Sequence, residues 1–256
     1  MGVDTIQGHL YADLSMKDSK PYGEGWCWDD KNPVLTPLLV GGKDIFMARF
    51  LDALTSHGVY VDATIDEKRK PIDAFCIVNR FHTIDQILMR MLKESNNLYA
   101  EAMYYQIAAS TGNRPASAKS ARNVERRLVD KIGLDASRYK FADGSGLSLY
   151  NYVSAELEVK MLRYAYKNDN IRHHLMPALP IAGVDGTLKK RMKGTFTRDN
   201  VKAKTGTVTG ISSLAGYCQA ANGHTLCFAI INQGVMHGRN GRAFQDRVCN
   251  ALCAPN

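Results

Sequence analysis

The chain has 256 residues, 45% hydrophobic and 23% charged, which is typical of a globular protein with one domain or two small ones. A formal net charge of +8 could attract nucleic acid or an acidic polymer, but no nucleic-acid-binding motif is present. No stretch is apolar enough to span a bilayer. The N-terminus lacks the apolar core of a signal peptide, so a cytoplasmic protein and a mature secreted chain both fit. The densest basic group is predicted to be a solvated face; it comprises Lys189, Lys190, Arg191 and Lys193.

The first sixty residues mix turn-forming and aromatic side chains. Residues 1–33 are predicted to be irregular or β-rich, with Trp26 and Trp28 as packing anchors. An apolar stripe at helical spacing then predicts a helix over 43–58, which Gly58 ends. A short strand over 59–61 follows.

The middle of the chain is predicted to be helical. Apolar residues at helical spacing indicate helices over 84–94, 98–110 and 118–132. Between the first two lies the triplet Ser95-Asn96-Asn97, and because serine and asparagine are poor inside helices and good N-caps, a tight connection is predicted there. Ser117 is the predicted N-cap of the third helix.

The second half of the chain turns from helix to strand. Asp143, Ser145 and Asn151 are predicted to hold a loop through side-chain turns, before a helix over 154–167. After Val201 the pattern is that of three β-strands, and a last helix is predicted over 241–253. Helices first and an antiparallel meander last predict an α+β fold, with helices packed on the sheet.

Six cysteines are present, none in a C-x-x-C pair, so no metal site is predicted. Asn222-Gly223 is typical of a two-residue hairpin turn. With that turn Cys218 would face Cys227 on the adjacent strand, as packed thiols or as a cross-strand disulfide. Cys249 and Cys253 are predicted to be buried small hydrophobes.

Two short motifs carry the chemistry. Ser95-x-Asn97 lies between helices, and Lys204-Thr205-Gly206-Thr207 opens a strand. Taken by itself, the first motif is explained by helix capping, and the second is explained by a surface lysine. Together and in this order they match two of the three elements of active-site serine β-lactamases and penicillin-binding proteins.

Longer stretches strengthen the likeness. LKESNNLYAEAMYYQIA, FADGSGLSLYNYVS, LPIAGVDGTLKKRM and VKAKTGTVTGISSLAGYC follow one another in the order seen in low-molecular-mass penicillin-binding proteins. The chain resembles their D-alanyl-D-alanine carboxypeptidase/endopeptidase family. The resemblance implies a β-lactamase/DD-peptidase-like fold, a periplasmic or extracytoplasmic location, no cofactor, and partners that are peptidoglycan stem peptides ending in D-Ala-D-Ala and β-lactams.

The residue types fit a peptide that ends in a carboxylate. Lys204 offers a point charge for that carboxylate, Thr205 and Thr207 offer hydroxyl donors, and Gly206 leaves room for a substrate backbone. The resemblance implies that the substrate pairs with this strand and that a backbone N–H near Thr207 forms an oxyanion hole. Ser95 is expected to relay a proton to the leaving amine and Asn97 to hold the substrate amide. The segment Asp185-Gly186-Thr187 and Arg191, which precede this strand, are expected to shape the cleft.

The third family element, S-x-x-K with its nucleophilic serine, has one match, Ser137-Arg138-Tyr139-Lys140. It follows Ser95-x-Asn97 instead of preceding it, so we interpret it as a chance match. The chain is therefore expected to begin after the family's nucleophile, with 1–60 as a shortened remnant of the family's inserted region and 61–256 as the second part of the peptidase domain.

Three interpretations remain open at this point. The chain is a fragment of a full serine peptidase, a catalytically inactive relative that still binds peptidoglycan or β-lactams, or one part of a site that another chain completes. Without the missing helix, apolar surface on 84–94 and on the sheet would be exposed. This predicts low stability, self-association or the need for a partner.

Overall fold

A computed structural model describes residues 2–27, 34–194 and 196–255, so Trp28 lies outside the described residues. Two small sheets and seven α-helices are seen in this part of the chain. The first section contains strand β1 (Thr5–Ala12), helix α1 (Phe46–Ser56) and strand β2 (Tyr60–Glu67). β1 and β2 pair in parallel from Thr5 opposite Tyr60 onward, which is a longer pairing than the short strand predicted over 59–61.

The helical middle begins with α2 (Ile84–Leu88), whose N-cap Thr83 forms a capping box with Gln86. A π-helical turn, Met89–Lys93, continues it. The predicted helix over 84–94 is therefore confirmed, with a changed winding in its second half. The next helices are α3 (Asn97–Ala109), α4 (Ala118–Lys131) and α5 (Ala155–Lys167).

Side-chain caps set the start of these helices. Ser117 accepts a hydrogen bond from the backbone of Ser120, as predicted, and Ser154 accepts one from Leu157. Asn168 caps a helix that the sequence pattern did not reveal, α6 (Asp169–Ala178). Pro177 lies inside its last turn, where the helix is about to end.

The second sheet has the order β3-β4-β5, with every pairing antiparallel. Its strands are β3 (Lys202–Val208), β4 (Ile211–Gln219) and β5 (Thr225–Gln233), and helix α7 (Gly238–Cys253) follows. The predicted α+β class with helices packed on an antiparallel sheet is confirmed.

Helices cover both faces of this sheet. On β4, Tyr217 donates its hydroxyl to the Leu162 carbonyl of α5, whereas the next residue, Cys218, packs with Cys249 and Cys253 of α7. Because successive side chains of a strand point to opposite faces, α5 and α7 lie on opposite sides. The main core forms between the sheet and α7.

The hairpin between β4 and β5 differs from the predicted one. Ala220 donates its backbone N–H to His224, so the loop has three residues, and Gly223 takes the left-handed conformation at φ +82°. The register moves by one residue, and Cys227 lies opposite Tyr217 instead of Cys218. The prediction that the two sulfurs face each other is therefore wrong, and both cysteines are free thiols.

Candidate functional site

The Lys204-Thr205-Gly206-Thr207 motif lies on β3, at one edge of the second sheet. β4 pairs with its inner side. On its outer side, Ala203 donates to the Pro180 carbonyl and Lys202 bridges to Ile181. From Lys204 onward no strand in the described part of the chain pairs with this outer side.

The Ser95-Asn96-Asn97 triplet forms the turn between the π-helical segment and α3. Asn96 is the N-cap of α3 and accepts from the Tyr99 backbone at 3.2 Å. The predicted tight connection is confirmed, but capping falls to the middle residue of the triplet. Ser95 takes a left-handed conformation at φ +53°, which costs about 1 kcal/mol or more in a non-glycine residue.

The two motifs meet through one hydrogen bond. The Lys204 ammonium donates to the Ser95 hydroxyl at 2.7 Å, across 109 residues of sequence, and to the Thr205 carbonyl at 2.7 Å. Burial lowers the pKa of Lys204 to about 8. Near pH 7 the side chain is therefore still mainly charged, but it loses its proton far more readily than an exposed lysine.

The other predicted site residues have fewer partners. Thr205 donates its hydroxyl to that of Thr187 at 3.0 Å. Thr207 is exposed, and a Cβ on Gly206 would collide with the Ser213 hydroxyl on β4. Ser95, Lys204 and Thr205 thus form one hydrogen-bonded group, whereas among the described residues no hydrogen bond joins the Asn97 side chain to it.

A third segment borders this group, as the sequence predicted for 185–187. The Asp185 carboxylate accepts a hydrogen bond from the Ile181 backbone N–H at 2.8 Å and forms an ion pair with the Lys93 ammonium at 2.6 Å. Lys93 also donates to the Leu179 carbonyl at 2.6 Å. The sequence analysis did not single out Lys93, because a lysine at the end of a predicted amphipathic helix is usually solvated.

The loop after α4 is built on Asp143, as predicted. Its carboxylate accepts from the backbones of Gly146 and Ser148 and from the Asn151 amide, each within 2.9 Å. The Trp26 indole donates to the same carboxylate at 2.7 Å, and its ring packs against the buried cluster that contains Tyr104 and Tyr105, so the predicted packing role is confirmed. These contacts give Asp143 a structural role.

Glu101 supports the same loop from α3. Its Oε1 accepts the backbone N–H groups of Gly144 at 3.1 Å and Ser145 at 2.7 Å. The side chain is buried, and this burial raises the pKa of Glu101 to about 7. No sequence signal marked this glutamate, because a single glutamate inside a predicted helix is usually solvated.

Two further predictions concern charged side chains away from the turn. Ser137 donates to Asp135 at 2.7 Å, and Lys140 pairs with Glu24 at 3.1 Å, so the S-x-x-K match forms no serine–lysine pair. Arg191 is not part of a solvated basic face, because its guanidinium pairs with Asp246 at 2.6 Å on α7. The lysines around it are exposed, as predicted.

The described residues contain no group of three or more histidine, cysteine or acidic side chains placed to hold a metal ion. Within that same part of the chain, no helix has the length and apolarity needed to cross a membrane.

An antiparallel sheet between helices, with an edge-strand lysine bonded to a serine in an interhelical turn, defines a β-lactamase/DD-peptidase-like protein. The sequence model of the D-Ala-D-Ala carboxypeptidase 3 (S13) family matches residues 40–252. The chain belongs to this family.

Individual relatives agree with the family match. D-alanyl-D-alanine carboxypeptidase DacB of Haemophilus influenzae is 34% identical over 157 residues, which are 60% of this chain and 33% of that protein. The crystal structure of penicillin binding protein 4 (dacB) from the same organism matches with a TM-score of 0.84 and 23% identity, over 99% of this chain and 76% of that one. Its complex with a novel β-lactam gives 0.72 and 27% identity, over 86% and 53%. The chain thus spans about a third of the curated relative.

Proposed function

We propose that this chain supplies the substrate-holding part of a serine-type D-Ala-D-Ala carboxypeptidase/endopeptidase site that acts on peptidoglycan stem peptides through an acyl-enzyme. The hydrogen bond between Lys204 and Ser95 carries the proposal. It joins residues of two separate motifs at an open strand edge, and neither helix capping nor a solvated lysine requires such a contact.

The chemistry of a peptide ending in D-Ala-D-Ala explains the first three residues. Lys204 binds the terminal carboxylate as a charged donor, and the Thr205 hydroxyl adds a second hydrogen bond. When the penultimate carbonyl is transferred to a serine oxygen, the C–N bond to the last D-Ala breaks and its amine needs a proton. Ser95 is bonded to an ammonium of lowered pKa and relays that proton.

The strand edge explains the remaining site residues. The substrate backbone adds to the outer side of β3, next to Gly206, as an extra strand. A backbone N–H near Thr207 stabilises the developing oxyanion, and the Asn97 amide holds the substrate carbonyl. The unpaired outer side of β3 supports the added strand. Within the described residues the Asn97 side chain has no hydrogen-bond partner, which leaves its amide available to a ligand.

The acyl step needs a nucleophilic serine beside a lysine, and the single S-x-x-K match does not provide it. Ser137 and Lys140 are each held by other carboxylates. This observation favours a second candidate function, a catalytically inactive protein that binds peptidoglycan stem peptides or β-lactams without turnover.

Intact-mass measurement after incubation with benzylpenicillin separates the two functions. A covalent adduct that the Lys204→Ala variant lacks means that this chain holds an acylatable serine, and peptide mapping then locates it. Without an adduct, saturable binding of diacetyl-Lys-D-Ala-D-Ala that Lys204→Ala abolishes supports the binding function. Lys202→Ala, on the same strand, is the matched control. Absence of both signals from folded protein contradicts both functions.

Location, domain division and assembly belong to the same proposal. An extracytoplasmic location follows from the proposed peptidoglycan substrate, and the division at residue 60 stays a prediction. Self-association is proposed through exposed apolar side chains. On the segment predicted as a helix over 84–94, Ile84 is 41% and Met89 is 43% exposed, and Phe75 before it is 88% exposed. Light scattering during size-exclusion chromatography tests it, and a monomer at all concentrations contradicts it.

A further inference from the structure

A second cross-fold contact lies two residues from Ser95. Lys93 ends the π-helical turn, and only 12% of its side chain is exposed. Its ammonium donates to the Asp185 carboxylate at 2.6 Å and to the Leu179 carbonyl at 2.6 Å. Because a cation withdrawn from water needs close partners of opposite charge, these contacts tie the turn to the segment before β3.

The conformation of this turn needs stabilising contacts from outside the turn. Asn96 donates its backbone N–H to the Met91 carbonyl, five residues back, and Ser95 then takes a left-handed conformation that serine rarely adopts. Neither local feature points the Ser95 hydroxyl at a strand more than a hundred residues away. Surrounding structure has to hold it there.

Asp185 also organises the other side of the site. Its carboxylate accepts the Ile181 backbone N–H, and the following glycine packs so closely that a Cβ on Gly186 would lie 2.9 Å from the Lys93 carbonyl oxygen. Two residues after Asp185, Thr187 accepts the hydroxyl of Thr205 at 3.0 Å. One short segment therefore contacts both the serine turn and the lysine strand.

We propose that Asp185 and Lys93 are a pair of positioning residues. They hold Ser95 at hydrogen-bond distance from Lys204, and they hold Thr187 at hydrogen-bond distance from Thr205. The contacts form a closed ring in which short stretches of backbone join three hydrogen bonds. Lys204 donates to Ser95, Lys93 donates to Asp185, and Thr205 donates to Thr187. The ring sets the geometry before a ligand arrives, which lowers the ordering cost of binding. The inference rests on the proposed function for the role of the site, but not for the ring itself.

The test compares Asp185→Asn and Lys93→Met with the control Glu94→Gln. Glu94 pairs with Arg90 on the same segment, but both side chains are about half exposed, so this pair cannot tie the turn to the sheet. Asp185→Asn keeps an acceptor for Ile181, so it remains informative if Lys93→Met does not fold. We expect the affinity for diacetyl-Lys-D-Ala-D-Ala to fall at least tenfold in both variants and to stay within twofold in the control.

A second readout needs no ligand. The NMR titration of the Lys204 side chain in 13C-lysine-labelled protein, assigned with Lys204→Arg, follows the environment of its ammonium. Once the turn loosens, the pKa of Lys204 is expected to move up toward that of an exposed lysine, since water reaches it. Loss of overall stability alone does not change this titration in folded protein.

The outcomes separate the two levels of the argument. If folded Asp185→Asn keeps the Lys204 titration of the unchanged protein, the positioning inference is overturned. If the unchanged protein does not bind the peptide, the proposed function is overturned, and the titration still decides on the ring. The double variant should be no worse than the poorer single one, because residues that act as one unit are not additive.

Discussion

The Lys204 ammonium lies 2.7 Å from the Ser95 hydroxyl, and this contact joins the helical part of the chain to the edge of the sheet. Burial supplies its chemical character, because it lowers the pKa of Lys204 to about 8. A charged donor poised to lose its proton suits a site that binds a carboxylate and moves a proton.

The first prediction concerns the pH dependence of ligand binding. The affinity for diacetyl-Lys-D-Ala-D-Ala should be nearly constant from pH 6 to 7 and should fall at least tenfold from pH 7.5 to 9.5, because the Lys204 ammonium loses its proton around pH 8. The peptide has no group that titrates in this range. Isothermal titration calorimetry at each pH measures the effect. An affinity that stays flat to pH 9.5 contradicts a charged Lys204 as the carboxylate receptor.

The second prediction concerns the space at Gly206. A Cβ at this position would collide with the Ser213 hydroxyl, which can rotate away or be removed, and would lie at ordinary contact distance, 3.7 Å, from the Ser213 Cβ. We therefore expect Gly206→Ala combined with Ser213→Ala to fold, and to bind the peptide at least tenfold more weakly because the new methyl group occupies the substrate's place. Ser213→Ala alone is the control and should bind normally. Full affinity in the double variant would mean that the substrate does not lie against residue 206.

The third prediction concerns a buried carboxyl group on α5. Glu158 has a buried oxygen without a hydrogen-bond partner, and burial raises its pKa to about 7. A raised carboxyl pKa favours folding at low pH, and that contribution is lost as pH rises from about 4.5 through 7. Glu158→Gln should therefore raise the free energy of unfolding at pH 8 by about 1–3 kcal/mol and change it little at pH 4.

Urea unfolding at both pH values measures this effect. Glu156→Gln is the matched control, since Glu156 is exposed on the same helix and pairs with Lys160. Its free energy of unfolding should change by less than about 0.5 kcal/mol at either pH. Equal gains from the two substitutions would show that net charge, and not burial, decides the result.

The fourth prediction concerns the loop held by Glu101. Glu101→Ala leaves the backbone N–H groups of Gly144 and Ser145 without their acceptor and should lower the free energy of unfolding by about 2–4 kcal/mol. Glu101→Gln keeps an amide oxygen in the same place. It should match or exceed the unchanged protein at pH 8, where the buried carboxylate carries a charge. Denaturant unfolding at pH 8 compares the three proteins, and a loss in Glu101→Gln as large as in Glu101→Ala would be the contradicting result.

Local patterns in the sequence determined the helices over α1, α3, α4 and α5, the three strands after Val201, and the α+β class. Periodicity and capping are local, and Ser117 at the start of α4 acts as its residue type predicts. The two motifs also marked Ser95 and Lys204 before their distance was known, because the residue types themselves match the chemistry.

Tertiary structure decided what local patterns do not encode. The π-helical turn, the left-handed Ser95 and the Lys93–Asp185 pair depend on partners far along the chain, so no window of sequence reveals them. The hairpin loop has one residue more than predicted, which shifts the register of β5 by one residue. Cys227 therefore lies opposite Tyr217 and not opposite Cys218. The sequence by itself named the chemical groups of the site, whereas only packing between distant segments set their distances, their burial and therefore the lowered pKa of Lys204.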